Sequence, residues 1–210
     1  MLTGEINLWH LLLKGGPLLV PILICSVFAL AIIIEKLFYL SSMTKDFLKF
    51  KQDVLEHLSN NKIKEAVVIC EGRPSPIARI FKAGIMKFAV SREAAKEAMN
   101  EAIDFEIFFM ERKCAVLSAI AQIAPLLGLL GTVVGMTQSF YVIHLKSGSL
   151  APVTTGELAD GIWQALITTI AGLTVAVLTL VAYKSLMSRI DDRAMEMRRA
   201  ALELLNSLGN

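Results

Sequence analysis

The sequence predicts an all-α integral membrane protein: three transmembrane helices with long helical extensions on the cytoplasmic side. Three observations predict it. Residues 15–34, 114–145 and 161–183 contain no Asp, Glu, Lys or Arg, and a bilayer core needs about 20 apolar residues per helix. Hydrophobic residues make up 55% of the 210, and the mean hydropathy is +0.59. The 21 Lys and Arg are divided unevenly. Positions 36–113 hold 14 and positions 184–210 hold 5, leaving only Lys14 and Lys146 elsewhere. Basic residues stay on the cytoplasmic side, so the N-terminus is expected outside, with the middle loop and the tail inside.

The chain divides accordingly into an outer interfacial segment (1–16), a first span (17–40), a cytoplasmic helical loop (41–113), a second span (114–143), an outer loop (144–156), a third span (157–183) and a cytoplasmic helical tail (184–210). In the first segment Ile6, Leu8, Trp9, Leu12 and Leu13 suit a short helix in the membrane interface, with Trp9 at headgroup depth. The first apolar run is expected to be a membrane span rather than a secretory leader, since Glu5 precedes it and no small-residue cleavage site follows before Glu35.

In the middle loop, Phe47, Leu48, Phe50, Val54, Leu55 and Leu58 form a stripe near the helical period, which Asn60 and Asn61 end. A short helix follows from Lys62 to Glu71, closed by Gly72-Arg73-Pro74. Ser75-Pro76 opens the next helix, with Ile77, Ile80, Phe81, Ile85 and Phe88 on one side, and Ser91 caps a helix starting at Arg92. With no Pro before Pro125 and no Gly before Gly128, Ser91–Met136 is expected to form one rod about 70 Å long.

The second span is not plain Leu and Val. Gly128, Gly131, Gly135 and Thr132 stack on one side, so something approaches that side closely. The outer loop KSGSLAPVTT leaves no room for a folded domain. Thr154 and Glu157 form a capping-box pattern for the third span, and after Gly172 no Gly or Pro occurs until Gly209. The tail stripe Ile190, Ala194, Met197, Ala201 and Leu204 or Leu205 must pack against another helix. Its partner is the middle loop of the same chain, or additionally neighbouring copies in a ring.

Most chemistry is excluded. Net charge is +2 with basic and acidic residues interleaved, which gives no nucleic-acid surface. Cys25, Cys70 and Cys114 lie at no metal or redox spacing, and His10, His57 and His144 are scattered. There is no phosphate loop and no paired carboxylate inside a span, so neither a conventional enzyme nor a cofactor or metal is expected. A solute carrier with broken helices or an inverted repeat is not visible either.

What remains is the polar side of spans two and three: Thr132, Gln164, Thr168 and Thr169, flanked by Pro125, Gly172 and Ala176. Two readings stand. Thr hydroxyls can bond back to their own helix and small faces let helices touch. Alternatively Thr132 and Thr169 line a water-accessible path, since a hydroxyl both donates and accepts. A hydroxyl relays a proton without storing one, and no Asp or Glu lies in the interior of these spans, so conduction would need a carboxylate from another chain.

The stretches SPIARIFKAGI (75–85), FEIFFMERKCAVLSAIAQIAPLLGLLGTVVGMTQSF (105–140) and ADGIWQALITTIAGLTVAVLTLVAY (159–183) resemble the MotA/TolQ/ExbB proton-channel family, on its ExbB/TolQ side. The resemblance implies a pentameric ring in the bacterial inner membrane around a dimeric ExbD- or TolR-like partner, whose single span brings the missing Asp. It also implies a TonB- or TolA-like transducer beyond the partner, and equates Thr132 and Thr169 with the family's pore threonines. Two positions depart from the pattern: Gln164 stands where the family commonly has Glu, and Leu178 where it usually has Pro.

Overall fold

The computed structural model describes residues 16–42, 47–60, 62–146 and 155–209, and these form seven helices without a strand among them. They are α1 (Leu19–Ser42), α2 (Phe47–Ser59), α3 (Ile63–Glu71), α4 (Pro76–Phe88), α5 (Arg92–Glu111), α6 (Cys114–Lys146) and α7 (Thr155–Leu208). The N-terminal interfacial segment with Trp9 and His10, the outer loop, and the side chains of the Thr154/Glu157 pair lie outside the described residues.

Three helices are long and apolar enough to cross a membrane: α1, the α5–α6 stretch and α7. The chain divides into two compact units. One comprises the described residues up to Ile33 together with Ala115–Tyr183, and the other Ile34–Cys114 with Lys184–Asn210.

In the first unit the outward residues are large and apolar, among them Phe28 at 60% exposure, Leu126 at 63% and Val181 at 65%. Such surfaces suit lipid rather than water. The inward residues of α6 are small: Ala124, Gly128, Gly131, Gly135 and Ser139 recur at three- and four-residue steps and are all buried. On α7 the corresponding buried positions are Ala165, Thr168, Gly172, Ala176 and Thr179.

The second unit packs like a soluble bundle. Phe50, Val54 and Leu58 of α2 are buried, as are Ile77, Ile80, Phe81 and Ile85 of α4; the Phe50 and Phe81 rings stand 6.1 Å apart. The Ser75 side chain accepts from the Ala78 amide with Pro76 at the first helical turn, and Ser91 accepts from the Ala94 amide at 2.9 Å. Ile190, Met197, Ala201, Leu204 and Leu205 of the α7 tail are buried. Ion pairs tie that tail to α2 (Lys51–Glu203) and α5 (Arg198–Asp104, 3.5 Å).

The expected single rod from Ser91 to Met136 falls on α5 and the first part of α6, which follow one another in a 55-residue helical stretch, Arg92–Lys146. The α-helical pattern lapses at Arg112 and Lys113, although Arg112 keeps helical dihedrals (φ −48°, ψ −41°). A side chain from α1 bonds to the carbonyls just before this lapse. The Lys36 ammonium donates to the Met110 carbonyl at 2.5 Å and reaches the Phe109 carbonyl at 3.5 Å.

Candidate functional site: the crossing of α6 and α7

The crossing exists because both helices present almost no side chain to each other. A methyl group added at Gly172 would lie 2.5 Å from the Ala124 carbonyl oxygen and 3.1 Å from the Gly128 Cα. One added at Gly135 would lie 2.7 Å from the Gly161 carbonyl oxygen and 2.9 Å from the Ala165 Cβ, and one at Gly131 would overlap the Thr168 hydroxyl. The backbones therefore touch, and only glycine leaves room. The small-residue side of α6, where a close approach was expected, is occupied by α7 of the same chain. That side cannot also be the contact between copies.

Two hydroxyls bridge the crossing. Thr169 donates to the Gly128 carbonyl at 3.1 Å, with the Ala165 carbonyl on its own helix equally near. Ser139 donates to the Leu158 carbonyl at 3.4 Å. In hydrocarbon such bonds matter because a polar group without a partner has no water to turn to.

The four polar candidates separate by environment. Thr168, also a pore-lining candidate, is buried (1% exposed) beneath Gly131, and its hydroxyl returns to the Ala165 carbonyl at 2.9 Å. Thr169 is half-buried at the edge of the crossing. Thr132 is also half-buried, one turn from Gly128, and donates to the Leu129 carbonyl at 2.6 Å. Gln164 is half-buried, with its amide packed against Gly16, the residue of positive φ (+67°) just before α1. No hydrogen bond joins Thr132 to Thr169.

Pro125 lies inside α6 and is half-buried. Lacking an N–H, it leaves the Ala121 carbonyl without its usual helical donor. Leu178, in place of the family's Pro, is 67% exposed on an unbroken α7. Chemically the crossing offers hydroxyls, carbonyls and one amide, groups that can pass a proton along and cannot hold a charge. Among the described residues no group of three His, Cys, Asp or Glu could hold a metal ion.

Two polar features escaped the reading of the sequence, both in the second unit. Glu106, 3% exposed, takes a bidentate pair from Arg79, with Nη2 to Oε2 at 2.8 Å and Nε to Oε1 at 2.5 Å. This carboxylate holds the Arg79 guanidinium above its ordinary pKa. Lys36, 5% exposed, is the cation at the end of α5. Burial also pushes the Cys70 thiol up to about 11. The only sequence signal was a charge beside apolar neighbours, FEIFF for Glu106 and IIIEKLF for Lys36.

Residues 73–199, which include both arms of the crossing, match the model of the MotA/TolQ/ExbB proton channel family. The chain is 33% identical over 187 residues to an ExbB-like biopolymer transport protein of Synechocystis sp., covering 89% of this chain and 73% of that one. It is 30% identical over 193 residues to the biopolymer transport protein exbB1 of Vibrio cholerae, covering 89% and 81%. To the Tol-Pal system protein TolQ of Haemophilus influenzae it is 29% identical over 205 residues, covering 90% and 88%. With more than half of its length matched and relatives of this kind aligned nearly end to end, the chain belongs to the MotA/TolQ/ExbB proton channel family.

Proposed function

We propose that the protein is the ring-forming subunit of a proton-driven motor in a bacterial inner membrane, with its N-terminus in the periplasm and its tail in the cytoplasm. Five copies enclose an ExbD- or TolR-like partner with a single span. The partner's Asp carries the proton, and a TonB- or TolA-like transducer takes up the work. Thr132 and Thr169 line the path as hydroxyl relays, while Thr168, Gly128, Gly131, Gly135, Gly172 and Pro125 build the wall behind them. Family membership supports the reading, as do the 19 basic residues on the two segments assigned to the cytoplasm.

The observation that carries the division of labour is the electrical emptiness of the wall. The charge-free parts of α1, α6 and α7 contain no carboxylate, and Gln164 turns its amide to Gly16. A proton at the membrane centre needs a titratable stop, because an isolated charge there is costly. The stop must then come from the partner. Purified protein in liposomes should be nearly proton-tight alone and conduct with the partner, and conduction should vanish when the partner's Asp becomes Asn. Robust flux from this chain alone would refute the proposal.

Gln164 also favours a second reading, a non-conducting scaffold of the same fold. Proton-tight liposomes with the partner present would select it. Sodium-dependent flux at fixed pH would instead select a sodium-driven stator.

A further inference from the structure

A cleft of about 250 Å³ opens between α1 and the α5–α6 junction, lined by Glu35, Lys36, Tyr39, Phe109, Arg112 and Lys113. At about 30 Å³ per liquid water it has room for several waters, or for one compact polar group. Three of its six side chains are cationic and one is anionic. Those charges are not equivalent. Lys113 is paired with Glu35, and Lys36 is spent on the Met110 carbonyl. Arg112 has no carboxylate partner among the described residues; its guanidinium stands 5.9 Å from the centre of the Phe109 ring. Arg112 thus lines the cleft beside an aromatic ring, with no carboxylate neutralising it.

Position narrows the occupant. Glu35 and Lys36 directly follow the charge-free run 15–34, and Arg112 and Lys113 directly precede the run 114–145. If those runs cross the bilayer, the cleft lies at headgroup depth. Phe38, Phe105, Phe108 and Phe109, all exposed (73%, 60%, 61% and 47%), form the aromatic company expected there. A net positive, aromatic-edged recess at the cytoplasmic end of spans is suited to an anionic headgroup.

We infer that this cleft binds the phosphodiester of an anionic phospholipid, with Arg112 as the bidentate ligand and Lys36 and Lys113 supplying positive field. The shared chemistry is a phosphate anion, and the source is the lipid, because the cleft adjoins the two apolar runs. The inference rests on reading those runs as membrane spans.

The test is native mass spectrometry of the full-length protein in mild detergent, titrated with phosphatidylglycerol, phosphatidylcholine or inorganic phosphate. Phosphatidylglycerol should be retained roughly ten-fold better than phosphatidylcholine, which carries the same phosphodiester beside a choline cation that the net positive cleft repels. Arg112→Gln should abolish that preference. Arg112→Lys should keep part of it, and Lys64→Gln, which removes an equal charge elsewhere, should leave it unchanged. The inference is overturned if the two lipids bind alike, if Arg112→Gln retains the preference in protein of unchanged oligomeric mass, or if millimolar inorganic phosphate displaces the lipid. Proton flux with the partner reads the proposed motor separately, so a conducting protein without lipid preference would sink only this inference.

Discussion

Gly172→Ala adds one methyl group at the point where α6 and α7 touch. That methyl would stand 2.5 Å from the Ala124 carbonyl oxygen and 3.1 Å from the Gly128 Cα. Both are backbone atoms, so no side chain can swing aside and the helices must separate by close to 1 Å. Overpacking of this kind costs about 1–3 kcal/mol, and separation also strains the Thr169 bond to the Gly128 carbonyl, whose class is worth about 0.6 kcal/mol in membranes. Alanine returns up to about 1 kcal/mol through helix propensity. The net expectation is a loss of about 0.5–2.5 kcal/mol. Gly156→Ala is the control: that glycine is in the same helix with nothing within 4 Å, so it should be neutral or stabilising by about 1 kcal/mol. Gly128→Ala, whose closest contact would be 3.1 Å, should fall between them. Equilibrium unfolding in mixed micelles, with oligomeric mass checked in parallel, measures all three. If Gly172→Ala and Gly156→Ala agree within about 0.5 kcal/mol, the helices are not in backbone contact and the account of the crossing fails.

The relay role of the threonines predicts that Thr132→Val and Thr169→Val suppress partner-dependent proton flux while the protein still assembles, and that the Ser variants retain more. Equal flux from the Val and Ser variants would leave both residues as packing alone. Arg79→Ala should destabilise the second unit by about 2 kcal/mol in thermal unfolding. Breaking a fully buried pair costs about 3–5 kcal/mol, and Arg79 is half exposed while Glu106 is not; a loss below about 0.5 kcal/mol would show that water reaches Glu106. Cys70, raised to about 11 by burial, should stay a neutral thiol from pH 7 to 9 in the folded protein and resist maleimide until denaturant is added. Because the unfolded thiol ionises near its ordinary pKa of about 8.5, its contribution to stability should be complete below that pH and decline as pH rises towards 11.

Features that depend on neighbours in sequence were legible in the sequence. Ser75-Pro76 and Ser91 cap helices because their hydroxyls reach an amide three residues on. Asn60 and Asn61 follow the end of α2. The glycines of α6 announced a close approach, but a glycine says only that something comes near, and whether it is the next helix or the next copy is a matter of three-dimensional arrangement. Gln164 was placed on the polar side by spacing, yet its amide is directed by Gly16, about 150 residues earlier, where a positive φ leaves the space. Lys36 counted only as one of many charges marking the inner side. Its partner, the carbonyl 74 residues on, is a backbone atom that no side-chain pattern reveals.

That separation orders the making of the protein. At about 5–20 residues per second, the ribosome delivers Met110 some 4–15 seconds after Lys36. Until then the first helix holds an ammonium at its C-terminal end that has not met its acceptor. By contrast Thr169 meets the Gly128 carbonyl across only 41 residues. The C-terminal end of the first helix is thus completed only once the junction before the second has been made.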